Sequence, residues 1–161
     1  MAALAVHGGP ALEESVSQVT ATPSVQVGTR RMYQGEEYVY CYNSGGAQAS
    51  VNLGVKLVTG ASGYSVAQTS VTDVFNPLVG VVKHSTMAAG DYGWVMTRGF
   101  ATVKVVSAMT ADYRMIALGA SGSFIEASGT TTFGTAAAVG FALNANTAAA
   151  GSVYAFVKAS V

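Results

Sequence analysis

Residues 38–57 read YVYCYNSGGAQASVNLGVKL, and this stretch decides the predicted fold. In its first half three tyrosines alternate with a valine and a cysteine, so the two sets lie on opposite faces of a β-strand. Residues 43–46 (NSGG) predict a turn. In the second half, apolar residues at 51, 53, 55 and 57 alternate with small or polar ones. Two neighbouring segments of period two, separated by a glycine-rich turn, indicate a β-sheet.

The same period continues to the end of the chain. In residues 153–159, Val and Ala occupy one face, while Tyr154, Phe156 and Lys158 occupy the other. The remaining strands are predicted at 64–71, 78–84, 92–97, 99–106, 113–118, 136–143 and 152–160. Their spacing is typical of sandwiches and barrels. Helix signals are confined to 67–76 and 144–150. We therefore expect an all-β fold, a compact antiparallel barrel or sandwich with at most one or two short helices.

Residues 1–35 differ from the rest because their apolar residues are sparse and mostly single. This segment is either an extended arm or an edge strand with a loose lead-in. We favour an N-terminal arm (1–35) that orders against a neighbouring molecule, followed by a β-rich domain (36–161).

Composition limits the possible functions. Of 161 residues only 16 are charged, eight of each sign, so the formal net charge is zero. A basic surface for nucleic acid is not expected, and no apolar run approaches the length of a membrane span. Low charge leaves little self-repulsion, which favours an oligomer or a docked state.

Residues that could carry chemistry are few and scattered. His84 is the best candidate for a catalytic or metal-binding role, but no further ligand lies at a recognisable spacing. Glu36-Glu37 would point to opposite faces of a strand, so they form no carboxylate pair. Cys41 is the only cysteine and is interpreted as a small buried residue. We expect no catalytic residue, no cofactor and no metal; the chain is not predicted to be an enzyme.

The aromatic residues offer candidate surfaces. Tyr38, Tyr40 and Tyr42 on one strand face suit an oligomer or capsid interface, because each has an apolar body and a polar tip. A platform for stacking sugars is the alternative. Arg30 and Arg31 are further candidates for the oligomer or capsid interface, because they could anchor the arm to an acidic surface, although a solvated pair is the simpler interpretation. Trp94, the only tryptophan, is predicted to anchor the core.

One order of short motifs resembles a known class of proteins. The motifs are AGDYGWV (89–95), RG (98–99), ATVKV (101–105), LG (118–119), AVGFAL (138–143) and VYAFV (153–157). This order, over roughly residues 75–160, resembles small virion proteins of tailed bacteriophages, most of all head decoration (cement) proteins. The resemblance implies a β-rich module, often a homotrimer, on the outer face of a capsid.

The function that the resemblance implies is structural. The protein would bind the major capsid protein at the capsid surface and stabilise the shell by clamping neighbouring capsomers. The alternative is a tail or fibre module that binds a host surface or glycan. In either case the expected partners include further copies of the chain and exclude nucleic acid and membrane.

Overall fold

The computed structural model describes residues 15–58, 64–68, 78–109, 114–127, 138–148 and 150–159. These residues form β-strands and one 3-10 turn at Ala120–Gly122. The strands are β1 Val19–Thr20, β2 Arg30–Tyr33, β3 Glu36–Asn43, β4 Gly54–Leu57, β5 Ser65–Gln68, β6 Leu78–Val81, β7 Tyr92–Val105, β8 Met115–Leu118, β9 Phe124–Glu126, β10 Ala138–Ala142 and β11 Gly151–Lys158. The predicted all-β class is confirmed. Within these ranges there is no helix with the length and apolarity that a membrane span requires.

The long strand β7 belongs to two closed circuits of five strands each. Its first part pairs with β3 and β6, and the first circuit closes through β4 and β5. Its second part pairs with β11 and β9, and the second circuit closes through β10 and β8. Most pairings are antiparallel; β3–β5 and β7–β9 are parallel. Of the two predicted architectures, closed circuits make this a barrel rather than a sandwich, because closure leaves no exposed edge within a circuit.

The junction between the two circuits is a β-bulge in β7. Glu37 lies opposite Arg98, but the next residue of β3, Tyr38, lies opposite Met96, so Thr97 is an extra residue in β7. The predicted strands 92–97 and 99–106 are therefore one bent strand. Beyond the bulge, Gly99 has φ +145° and the side chain of Glu36 occupies the space that a Cβ would need.

Each circuit encloses its own apolar residues. The first core cluster takes buried residues from all five strands of the first circuit: Val39, Cys41, Val55, Val66, Val79 and Val95. The second cluster fills the second circuit with Val103, Ile116, Phe124, Ala142 and Ala155. It also extends over the back of the first circuit through Tyr38, Tyr40, Trp94 and Met96. Burial of these two sets is what holds the fold together.

The N-terminal prediction needs a correction within the described residues. Val16 is buried in the second core cluster, β1 pairs with β7, and β2 pairs with β3 over four residues. Residues 15–35 are thus part of the β structure, because Val16, Val25 and Val27 bury apolar surface against it. The other interpretation of this segment, an edge strand with a lead-in, describes it correctly. Residues 1–14 lie outside the described residues.

Neither predicted helix is present in the described part of its range. Ala67 and Gln68 belong to β5, and the rest of 67–76 lies outside the described residues. In 144–150, Asn146 exchanges two backbone hydrogen bonds with Met109, and the Asn144 side chain accepts the amide hydrogen of Tyr154 at 2.7 Å. These long-range bonds outcompete a helical turn, because asparagine readily bonds to backbone groups outside a helix.

Candidate interaction surface

A row of large apolar side chains crosses the outside of the second circuit. From Arg98 to the end of β7, and along β11, inward-facing residues are buried and alternate with more exposed ones, so every second residue points outward. Phe100 lies opposite Phe156, Phe156 opposite Phe141, and Phe141 opposite Met115. Residues opposite one another in a sheet share a face. These four residues, together with Tyr154, form what we call the outer row.

The rings of the outer row pack against one another. Their centroids are 5.1 Å apart for Phe100 and Phe156, 5.5 Å for Phe141 and Phe156, and 5.9 Å for Phe100 and Tyr154. Even so, Phe100 remains 41% exposed, Tyr154 49% and Met115 55%. The outer row is therefore a candidate interaction surface, because single exposed apolar residues are common on proteins and clusters of them are not.

Basic side chains flank the outer row. Arg98 and Lys158 lie opposite each other, each two residues along its strand from a phenylalanine of the row. Lys104 lies on the other side, opposite Ser152, and Arg114 precedes Met115. Ion pairs with Glu37 and Glu126 offset the charges of the two arginines. Lys158 and Lys104 leave the rim positive, so the surface favours a partner that combines apolar and acidic groups.

A hydrogen-bonded cluster lies where the outer row meets the first circuit. Lys83 Nζ donates to both carboxylate oxygens of Glu36, at 2.5 and 2.6 Å, and to the backbone oxygen of Phe100 at 2.9 Å. Tyr38 donates its hydroxyl hydrogen to Glu36 at 2.6 Å and shares a 2.9 Å hydrogen bond with His84 Nε2. The cluster therefore joins a residue of the outer row to a buried tyrosine.

The pKa values in this cluster follow from burial and hydrogen bonding. Burial alone would raise the pKa of Glu36, but the hydrogen bonds from Lys83 and Tyr38 outweigh it and leave that pKa below its ordinary value. The pKa of His84 is also lowered, first by burial and then by the nearby Lys83 charge. Burial and the Glu36 carboxylate raise the pKa of Tyr38. At neutral pH the arrangement is thus a carboxylate held by neutral and cationic donors, which rigidifies the junction of the two circuits.

Two of the three tyrosines of the predicted interface are buried within the chain. Tyr38 is 1% exposed and Tyr40 is fully buried, while Tyr42 is half-buried and packs on Tyr92 at 4.8 Å. The prediction of an oligomer or capsid interface is wrong for Tyr38 and Tyr40. The N-terminal segment, which was predicted to be an arm, contributes to the burial of this face. Tyr40 Oη is within hydrogen-bond distance of Thr20 Oγ1 and Ser24 Oγ.

Of the remaining predicted residues, Trp94 and Arg31 lie on the face of Tyr38 and Tyr40, whereas Arg30, opposite Val39, lies on the other face. Trp94 is 3% exposed and belongs to the second core cluster. The Arg31 guanidinium lies 5.4 Å from the ring of Tyr33 and 5.9 Å from that of Trp94, within cation–π range. Arg30 is exposed and donates a 3.2 Å hydrogen bond to the Tyr64 hydroxyl.

His84 and Cys41 are the two single residues whose chemistry the sequence analysis considered. His84 bonds to Tyr38, and no group of three or more metal-binding side chains exists among the described residues. Cys41 is fully buried, and burial raises the pKa of its thiol.

Sequence reasoning missed the outer row as a site. The sequence did contain part of the information needed, because the alternation in residues 153–159 places Tyr154, Phe156 and Lys158 on one face. It did not show which face is exposed, nor that Phe100 and Phe141 lie beside them. That information depends on strand order, which periodicity does not contain.

The fold is similar to that of a solved structure. The chain is similar to the N base of the head fiber gp8.5 in bacteriophage phi29, with a TM-score of 0.51 and 12% sequence identity. The similarity covers 75% of this chain and 94% of that chain. No protein-family profile and no curated protein sequence matches the chain. The two chains thus share a β fold with little sequence in common.

Proposed function

We propose that this chain is a structural protein of a tailed-bacteriophage virion and acts without catalysis on the outer surface of the capsid. The observation that carries the proposal is the similarity of its fold, over most of both chains, to the base of a phage head fiber. The order of motifs in residues 75–160, which resembles head decoration proteins, supports the same class from an independent direction.

The proposed mechanism is mechanical. Two closed circuits that share β7 form a stiff unit, since neither circuit has a strand free to separate. Such a unit, bound to the major capsid protein across the boundary between capsomers, would oppose their separation. We propose a homotrimer, because one trimer offers three identical contacts to a shell of repeated subunits, and linked contacts bind more tightly than single ones.

The location is tested by labelling virions. An antibody against the purified protein, detected with colloidal gold, is expected to decorate the heads of intact particles in electron micrographs. The control is the same antibody preabsorbed with the protein. Gold on tails would contradict the capsid location, and unlabelled particles in a lysate that contains the free protein would contradict the virion role.

The clamping role is tested on capsids that lack the protein. Addition of the purified chain is expected to raise the temperature at which packaged DNA becomes accessible to a fluorescent dye. An unrelated β-barrel protein of similar size is the control. An unchanged release temperature, with binding shown by cosedimentation, would refute clamping while leaving the capsid location intact. Light scattering after size exclusion measures the proposed trimer.

The alternative, a tail or fibre module that binds a host surface or glycan, is supported by the similarity to the base of a head fiber but loses its proposed binding surface. That surface was a tyrosine platform, and two of its three tyrosines, Tyr38 and Tyr40, are buried, Tyr40 in contact with Thr20 and Ser24.

A further inference from the structure

We propose that the outer edge of β2 binds an extended, acidic segment of another protein, which adds to the sheet as a further strand. β2 pairs with β3 and with no other described strand, so it lies outside both closed circuits. An edge strand is a template for strand addition, because one row of its backbone groups faces away from the sheet. The inference is independent of the virion role, because it concerns the chemistry of the partner and not the location of the complex.

The backbone groups of Arg30 and Met32 are the ones that face outward. Tyr40 of β3 donates its amide hydrogen to the carbonyl of Thr29 at 2.9 Å, directly before β2 begins. In an antiparallel pair, residues that exchange hydrogen bonds alternate with residues that do not. The odd-numbered residues of β2 therefore bond to β3, and the amide and carbonyl groups of Arg30 and Met32 point to the other side. These four groups can pair with a strand that lies along the edge.

The side chains of β2 leave this edge open to pairing. Edge strands of soluble proteins are commonly protected by lysine, proline or a bulge. Met32, one of the two outward-bonding residues, is instead 61% exposed, more than any residue of the outer row, and Tyr33 beside it is 36% exposed. Exposed apolar side chains next to outward-facing backbone groups are the combination by which sheet edges bind peptides.

A cavity beside β2 can receive one side chain of the added strand. Its volume is about 240 Å³, and it is lined by Arg30, Arg31, Met32, Glu37, Tyr38 and Thr97. Met32 and Glu37 lie opposite each other and so share a face of the sheet. A residue opposite Met32 on the added strand would share that face too, and its side chain would enter the cavity. Pockets of this kind select alternate side chains of a bound strand.

Charge favours an acidic partner. Arg30 is exposed and donates a hydrogen bond to the neutral Tyr64 hydroxyl, and it forms no ion pair within the described part of the chain. Farther across the sheet, Glu37 lies opposite Arg98 and Arg98 opposite Lys158, so a single carboxylate accompanies two cations. The surface beside the β2 edge is thus net positive, and an acidic residue opposite Arg30 would complement it.

The nearest competitor is a second copy of the chain that pairs through its own β2. In an antiparallel pair that uses all four outward-facing groups, Arg30 of one copy lies opposite Met32 of the other. With strands about 4.8 Å apart and an offset of two residues, the two Arg30 Cα atoms would be about 8 Å apart. Like charges repel at this separation, which is within the Debye length. An acidic segment avoids that cost.

The test is a titration of the ¹⁵N-labelled full chain with the blocked peptide TTLTETT. In the antiparallel register its leucine lies opposite Met32 and its glutamate opposite Arg30. We expect the amide signals of these two residues to shift. At a peptide concentration ten times Kd, their exchange with deuterium should slow about tenfold, because only the free protein exchanges.

Two control peptides separate charge from backbone pairing. TTLTKTT should bind about tenfold more weakly, since an attractive cross-strand pair becomes a repulsive one. Methylation of the leucine and glutamate nitrogen atoms of TTLTETT removes the N–H groups that face β2 and should abolish binding. Methylation of the threonine between them, whose N–H would point to solvent, should be tolerated. Equal binding of the two methylated peptides would overturn strand addition.

Variants of the chain test the same edge from the other side. Met32→Pro removes the outward-facing amide hydrogen but no bond to β3, so it should fold and fail to bind TTLTETT. Met32→Val, which keeps the amide, is the matched control and should bind. Should Met32→Pro unfold, Arg30→Glu replaces it and is expected to prefer TTLTKTT. Binding by Met32→Pro as strong as by Met32→Val, or an Arg30→Glu chain that still prefers TTLTETT, would contradict the proposal.

Two further outcomes would overturn it. Amide signals of Arg30 and Met32 that stay in place at the highest soluble concentration of TTLTETT would mean that the edge accepts no strand of this chemistry. Shifts of the same signals that grow with protein concentration in the absence of peptide would assign the edge to a second copy.

Discussion

Two groups of aromatic residues on the same sheet differ in their exposure to solvent. Tyr38, Tyr40 and Trp94 are buried, whereas Phe100 and Phe141 are exposed. In sequence the two groups look alike, since each alternates with small or branched residues on a β-strand. The difference comes from what covers them. Residues 16–27 pack over the first group, and no described residue covers the second.

The bulge at Thr97 explains how one strand serves both groups. Trp94 and Phe100 are an even number of residues apart in β7, so a regular strand would place them on one face. The extra residue shifts the alternation, so the buried face passes from Trp94 and Met96 to Ala101 and Val103. One inserted residue thus decides which aromatic ring enters the core.

Deletion of Thr97 should have the largest effect. Without the extra residue, the ring of Phe100 would turn inward or the ring of Trp94 outward, and neither arrangement preserves both circuits. We expect a loss of more than about 4 kcal/mol in the free energy of unfolding, measured by urea denaturation followed through tryptophan fluorescence. Deletion of Gly46, in an exposed turn with open space around it, is the control and should be tolerated. A stable, cooperative protein without Thr97 would refute the role of the bulge.

The second prediction compares one residue from each group. Trp94→Ala removes a ring that is 3% exposed and leaves a cavity, so we expect a loss of about 3–5 kcal/mol in the free energy of unfolding. Phe100→Ala removes a ring that already contacts water and should cost about 1 kcal/mol. Urea denaturation followed by circular dichroism measures both. Equal losses would mean that Phe100 is as well covered in solution as Trp94.

The third prediction disturbs the outer row without changing an aromatic ring. A Cβ on Gly140 would collide with the backbone oxygen of Phe156, so Gly140→Ala should push β10 away from β11 and separate Phe141 from Phe156. We expect a loss of about 1–3 kcal/mol, measured by thermal unfolding. Gly46→Ala has open space and is the matched control. If Gly140→Ala leaves stability and the Phe141 ring signals unchanged, the strands have room that the structure does not show.

The class of fold and several of its strands could be predicted from the sequence. Strict alternation in 38–42 and 153–159 identified β3 and β11, because period two survives even where the buried face is unknown. The prediction of two strands at 92–97 and 99–106 was wrong, because a bulge joins these residues into one strand. Periodicity cannot detect such an insertion, since a shift by one residue resembles the end of a strand.

The candidate site was harder to predict because it depends on distant neighbours. Tyr38, Tyr40 and Tyr42 looked like a surface until residues 20–24 were found over Tyr40, a contact across 16 to 20 positions of sequence. The outer row is assembled from β7, β11, β10 and β8, which are brought together by pairings that local sequence does not specify. Composition alone did indicate one property of the site: a chain with so few charges leaves apolar surface available for contact.

The smallest expected effect concerns the cluster that joins the two aromatic groups. Glu36 accepts hydrogen bonds from Lys83 and Tyr38, so Glu36→Gln should lower the free energy of unfolding at neutral pH by about 1–2 kcal/mol. The adjacent Glu37→Gln is the matched control. Its partner Arg98 is exposed and 3.3 Å away, so solvent screening should limit that loss to about 0.5 kcal/mol.

Acid should weaken the same junction in two steps. The pKa values of His84 and Glu36 are both lower in the folded chain, so the unfolded chain binds more protons and stability falls as pH falls. The His84 contribution is lost first, below the ordinary histidine range, and the Glu36 contribution next, as the pH falls through the lowered carboxyl pKa. Thermal unfolding between about pH 7 and about pH 3 measures both steps. Glu36→Gln should abolish the second step, and an unchanged acid profile in this variant would show that the carboxylate does not stabilise the link between the buried tyrosine and the outer row.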